Sequence, residues 1–243
     1  MPRFFGFYQM SPRTRVTVMA ILVLLLLAGS AVYVQAFYRQ KPLQEVQTDK
    51  KIVALTFDIS WGYETPPAVL KVLKDHQVQC TFFLSGPWVT QYPEIARQIK
   101  DDGHEIASHG YRHINLTNFS KSEIKAELMK AHQAITAVTG ESPRLFRAPN
   151  GDYNNNVIKA VYECNYRAIR WGTDSLDWMN PGISIIVDRI NKHIHPGDII
   201  LMHASDTSKQ TAQALPTIIE NIHSQGYEIL TVSELLAEAA ANP

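Results

Sequence analysis

"LTFDISWG", Leu55–Gly62, closes an apolar run on a single acid, Asp58, and follows it at once with Ile59. The run "KIVALTFD" (51–58) is β-like in composition and short enough to be one strand. A carboxylate at its tip has no place in a core and reads instead as the start of a loop with chemistry in it. Similar segments recur along the chain: "VQCTFFLSG" (78–86), "HEIASHG" (104–110), "RLFRAPNG" (144–151), "YRAIRWGTDS" (166–175), "DIILMHA" (198–204) and "YEILTVS" (227–233).

Helical patterns lie between them. Thr65 with Pro66 and Pro67 makes a helix start, and Pro93 does the same before "EIARQIKDD". Ser120 and Glu123 form a capping box ahead of "IKAELMKAHQAITAV". Gly103, Gly140 and Gly226 stand where helices should stop. Alternating strands and helices predict an α/β fold with a mainly parallel sheet, as a closed or nearly closed barrel or as an open doubly wound sheet. No glycine-rich phosphate loop follows the first strand, which argues against a nucleotide site.

The N-terminus differs from the rest. Val16–Phe37, "VTVMAILVLLLLAGSAVYVQAF", carries no charge, and Arg3, Arg13 and Arg15 precede it without an acid. As a helix rising roughly 1.5 Å per residue it would span about 33 Å, enough for a bilayer core. The charge bias predicts residues 1–15 in the cytoplasm, 16–37 as a transmembrane anchor and an extracytoplasmic remainder. A cleaved signal peptide, with Val34 and Ala36 before the cut, is the alternative. Residues 38–50 read as a polar tether, 51–236 as one domain and 237–243 as a tail. The net charge is +0, so nothing points to a nucleic-acid partner. The 2 cysteines, Cys80 and Cys164, are too few for a disulfide scaffold, and Cys80 within "VQCTFFL" reads as a buried thiol.

The polar residues fall at strand ends. Asp58 ends the first strand, His109 the third with His113 four residues on, Arg147 stands near the end of the fourth, Asp174 ends the fifth with Asp177 and Trp178 beyond, and His203 ends the sixth. In parallel α/β barrels these ends converge on one face, where active sites are built. Taken singly, each has a plainer reading. "HGYRH" is two surface histidines or two imidazoles sharing a cation, His203 is a core histidine or an acid–base group, Asp174 and Asp177 are loop caps, and Arg147 is an ion-pair partner. Their common placement favours a site.

With these residues in view, the chain resembles the polysaccharide deacetylases with a NodB-homology domain, carbohydrate esterase family four, over about residues 50–236. The resemblance rests on "TFDI" (56–59), "SHGYRH" (108–113), "RAPNG" (147–151), "DSLDW" (174–178) and "LMHAS" (201–205). Within the family, "LTFDISWG" behind an apolar N-terminal segment is most similar to the PdaB-type sporulation proteins of spore-forming bacteria. The resemblance implies a distorted (β/α) barrel of about seven parallel strands and metal-dependent removal of acetyl groups from an N-acetylated cell-wall glycan. By motif, Asp58 is then the general base, oriented by Arg147. His109 and His113 are ligands of a divalent metal, expected as Zn. His203 is the general acid, tuned by Asp174. Trp178, Pro149 and Leu201 line the substrate pocket.

One position departs from that pattern. The family usually places a second aspartate directly after the first, as the third protein ligand of the metal, and here it is Ile59. Ser60 likewise stands where glycine is usual. Two imidazoles hold zinc more weakly than two imidazoles and a carboxylate, and Glu64 is the nearest acid along the chain that could compensate. The expected function is therefore cell-wall glycan N-deacetylation, with a glycan-binding relic as the alternative.

Overall fold

The computed structural model describes residues 11–38 and 41–241, and for residues 27–38 it describes only the helical backbone. The chain divides between Gln40 and Lys41 into two compact units. The N-terminal unit is one helix, α1 (Pro12–Tyr38). Its side chains Val16, Met19, Leu22 and Leu26 are exposed. Among the described residues no helix is long and apolar enough to cross a membrane. The transmembrane helix expected at 16–37 is therefore not found there, although side chains beyond Leu26 lie outside the described residues. The expected cytoplasmic stretch 1–15 is described only from Ser11, and from Pro12 it is helical.

Among the described residues the main unit holds eight strands, β1 (Ile52–Ile59), β2 (Thr81–Leu84), β3 (Glu105–Ser108), β4 (Leu145–Phe146), β5 (Arg167–Ala168), β6 (Thr173–Asp174), β7 (Ile199–His203) and β8 (Glu228–Leu230). Helices α2 (Thr65–Asp75), α3 (Gly86–Gln91), α4 (Pro93–Asp101), α5 (Lys121–Thr139), α6 (Asn155–Glu163), α7 (Ile183–His193), α8 (Thr211–Ser224) and α9 (Val232–Ala240) connect and follow them. The strands run in the order β5-β4-β3-β2-β1-β7-β6, with β8 paired to the start of β1. Every described strand pairing is parallel.

The segment expected as one strand at 166–175 is two. Its halves, β5 and β6, occupy opposite edges of the sheet, joined by residues 169–172. The five Cα–Cα steps from Ala168 to Thr173 reach only about 17 Å when extended, so the sheet must curl until its edges nearly meet. This closes the expected barrel imperfectly, through a covalent crossing in place of a strand ladder. The expected tether is also part of the barrel. Leu43 bridges to Ile169 and Glu45 to Asp198, because Val46, 6% exposed, buries with the interior cluster. The tail expected from 237 continues α9 to Ala240.

Strand β1 is buried along its whole length. Val53, Leu55, Phe57 and Ile59 join the core under the helices, while Ile52 and Ala54 join the inner cluster with Phe83 and Ile199. Burial on both faces explains why the strands read as unbroken apolar runs. Alternation then places Thr56 and Asp58 on the inner face and Ile59 on the outer one. Helix signals read from sequence hold: the Ser120–Glu123 capping box forms, and Gly140 ends α5 at φ 76. Cys80 is a buried free thiol.

Candidate active site

The strand ends bring the expected residues to one mouth. Asp58 and His203 are register partners on adjacent strands, which sets their backbones about 4.8 Å apart. Arg147, fully buried just beyond β4, donates from one nitrogen to Asp58 Oδ1 at 2.7 Å and to Thr56 Oγ1 at 2.9 Å. Its other terminal nitrogen donates to the Arg170 carbonyl at 2.9 Å. Its guanidinium lies over the Phe83 ring, 4.0 Å from the centroid. Burial pushes the Asp58 carboxyl up, but the charge and hydrogen bond of Arg147, with the charge of His203, outweigh this and hold it below its ordinary value. Asp58 is an ionised carboxylate with a fixed orientation.

His109 is buried beneath Asp58. Its Nδ1 faces the Arg147 carbonyl at 2.9 Å, and its Nε2 lies 3.7 Å from Asp58 Oδ2. A carbonyl only accepts, so Nδ1 carries the proton and Nε2 presents a lone pair. Burial drives this imidazole down to about 4, against the pull of Asp58, so it is neutral. The His113 ring stands 5.4 Å from it, centroid to centroid, and is packed edge-on by Trp61 at 5.1 Å.

His203 does not take its partner from Asp174. Its Nδ1 bonds Asp177 Oδ1 at 2.7 Å, and its backbone N–H donates to Asp177 Oδ2 at 2.8 Å. Thr211 Oγ1 also donates to Asp177 Oδ2, at 2.7 Å. Asp177 is fully buried. Asp174 instead accepts the Leu176 N–H at 2.9 Å and acts on His203 only through its charge. The reason is the backbone at Leu176, φ 56, which turns the chain so that Asp177 points back at β7. Burial pulls the His203 imidazole down, but the bond and charge of Asp177, then Asp58 and Asp174, raise it above its ordinary value.

The pocket residues divide. Pro149 is buried in the turn just beyond β4 and Leu201 is buried within β7, whereas Trp178 is 50% exposed on the rim. Two rim groups were not legible from motif reading. Trp61, 43% exposed, donates from its indole to Thr207 Oγ1 at 3.0 Å. Asp206 accepts the N–H groups of Tyr63, Glu64 and Thr65 at 2.8–2.9 Å, capping α2 from the loop after β7. Gly62, at φ +88, lies so close to Asp206 that no Cβ fits. The aromatic–glycine sequence "WGY" (61–63) is the only local signal of this clamp.

The donor set does not make a complete metal site. His109 Nε2 and His113 suit a divalent ion, but Ile59 is fully buried among the outer core residues, and Glu64 is exposed at the start of α2. Among the described residues no group of three or more His, Cys, Asp or Glu side chains is arranged to hold a metal. Catalytic zinc normally has three protein ligands. Of the groups expected to ligate zinc, the structure brings the His109 and His113 rings together and, among the described residues, supplies no third protein ligand.

The model of a family described as polysaccharide deacetylase matches residues 45–169. An uncharacterised protein of Bacillus subtilis, YlxY, is 35% identical over 198 residues, 82% of this chain and 61% of that protein, so the chain spans less than two thirds of its length. A peptidoglycan-N-acetylglucosamine deacetylase of Bacillus cereus is 35% identical over 195 residues, 79% of this chain and 91% of that one. The solved structure of BA3943, a family-four pseudoenzyme of Bacillus anthracis, superposes with a TM-score of 0.77 at 36% identity, over 81% of this chain and 69% of that chain. A BA3943 mutant described as having restored enzymatic activity superposes with a TM-score of 0.77 at 37% identity, over 81% of this chain and 71% of that chain.

Proposed function

The chain belongs to the polysaccharide deacetylase family, whose members are generally metal-dependent, and on that premise we propose that it removes N-acetyl groups from a cell-wall glycan. The observation that carries this reading is the Asp58–His203 pair: adjacent in register, and driven in opposite directions by their surroundings. Groups whose environments push their pKa values apart divide the roles of base and acid between them.

Hydrolysis of the acetamide needs a water at the carbonyl carbon and a proton for the departing amine. Asp58, held ionised by Arg147, accepts the proton of the attacking water. The new C–O bond gives a tetrahedral adduct. His203, kept as imidazolium by Asp177, donates to the amide nitrogen as the C–N bond breaks. The products are acetate and a free amino sugar. The test is acetate release from N-acetylglucosamine oligomers and peptidoglycan fragments, abolished in Asp58→Asn.

Two observations favour a second reading, a glycan-binding relic: Ile59 faces the core, and a pseudoenzyme of the family shares this fold. Saturable glycan binding without acetate release, indifferent to Asp58→Asn, selects it. A place outside the cytoplasm and a role in sporulation belong to the proposal as well. They rest on the charge-free run, the arginines before it and the motif resemblance. Protease accessibility on intact cells and spore assays of a deletion strain test them.

A further inference from the structure

We infer that the cavity between residues 41–45 and the start of α6 is a subsite for an anionic group, a carboxylate or phosphate, carried by the glycan. The cavity measures about 620 Å³ and is lined by Lys41, Glu45, Gly151, Asn155 and Arg170, among others. Its charge is unbalanced. Glu45 is already paired with His195 Nε2 at 2.8 Å. Asp152, the nearest acid of the adjoining loop, turns both carboxylate oxygens to Thr117. Among the described residues no acid pairs with Lys41 or Arg170, which leaves two cations facing one space.

Arg170 shows the unmet need most directly. Its Nε is buried and has no acceptor. A buried donor without a partner is a position that a ligand oxygen can fill. The guanidinium lies 5.4 Å from the centroid of the Trp171 ring, which steadies its plane. Gly151, at φ +62, keeps the approach open, since a Cβ there would meet Trp171 at 2.7 Å and Arg170 Nε at 3.3 Å. The N-terminus of α6 adds a favourable dipole for an anion. A planar guanidinium with free donors matches carboxylate and phosphate alike.

The subsite is coupled to the catalytic carboxylate. The carbonyl of Arg170 holds Arg147, and Arg147 holds Asp58. An anion settling on the Arg170 side chain therefore fixes the segment that orients the base. This inference rests on the cell-wall glycan reading and narrows its substrate to glycans bearing acidic groups.

Titration calorimetry on the full chain tests it, with a neutral N-acetylglucosamine tetramer, a glycan fragment bearing lactyl carboxylates, and a glycerol-phosphate oligomer. Arg170→Gln and the surface change Lys41→Gln are the variants. The expected result is that each variant binds an acidic ligand about tenfold more weakly and the neutral tetramer unchanged. The acidic ligand that responds identifies carboxylate or phosphate as the natural group. Equal binding of acidic ligands by wild type and both variants overturns the subsite. So does an equal loss for acidic and neutral ligands. Failure of wild type to bind the neutral tetramer counts against the glycan reading itself, whereas a subsite failure leaves tetramer binding intact.

Discussion

Asp58 and His203 sit directly opposite each other at the ends of β1 and β7, and each is held by a different buried partner, Arg147 for the acid and Asp177 for the imidazole. Carboxylate and imidazole are thereby brought side by side by backbone register. Movements of the rim leave their separation unchanged.

Asp58→Asn removes the base and weakens the pairing of the fully buried Arg147. Acetate release should fall by at least about a hundredfold. Breaking a buried pair costs about 3 kcal/mol or more, so chemical denaturation should show a matching loss. Unchanged turnover would place the base elsewhere.

Asp177→Asn should outweigh Asp174→Asn. Asp177 raises the His203 pKa through both its bond and its charge. A general acid works while protonated, so activity falls as pH rises through that value. Removing the Asp177 charge should move this alkaline limb to lower pH, and Asp174→Asn should move it less. Stability follows the same sign. The folded pKa of His203 lies above its ordinary value, so its stabilising contribution is full below about pH 6.5 and is lost as pH rises through the folded value. Denaturation midpoints measured from pH 6 to 9 should fall in wild type and less in Asp177→Asn.

Ile59→Asp should destabilise the fold without metal. The position is fully buried among apolar residues of the outer core, and an unpaired carboxylate there costs several kcal/mol. Thermal melts with chelator should show a clear drop in Tm. Melts repeated with zinc then report where the new group points. Recovery places it at the imidazole pair, and no recovery leaves it in the core.

Asp206→Ala should loosen the rim. Three backbone donors at the start of α2 lose their acceptor, at about 2 kcal/mol. Trp61 stands on the loop so released. KM for a glycan oligomer should rise with little change in kcat, and Trp61→Ala should reproduce the KM effect without the loss of stability.

Much of this site was legible because its strands are buried on both faces and stop at polar residues. An apolar run ending in Asp58 or His203 carries both the strand and its functional end. The capping box at Ser120 was legible for a similar reason, since all its parts lie within three residues. What stayed hidden depends on contacts distant in sequence or on unusual backbone. β5 and β6 are two residues each, and no local pattern separates strands that lie at opposite edges. The choice between Asp174 and Asp177 depends on a left-handed Leu176, a conformation leucine rarely adopts. Asp206 acts on a loop more than a hundred residues away. The facing of Ile59 follows from alternation once β1 is known to run through it, but its length could not be read from composition.

The crossing at residues 169–172 has a bearing on how the molecule reaches its native state. In a barrel closed by hydrogen bonds, edge strands can meet late and by trial. Here the two edges are neighbours along the chain, so forming β5 on one side commits β6 to the other within a few residues. A circular permutant with new ends inside 169–172 would keep every helix and nearly every ladder bond, yet it would have two free edges. Such a chain should associate edge to edge where the natural connectivity does not. Closure here is a property of the covalent path, and the mouth inherits its roundness from the backbone of four residues.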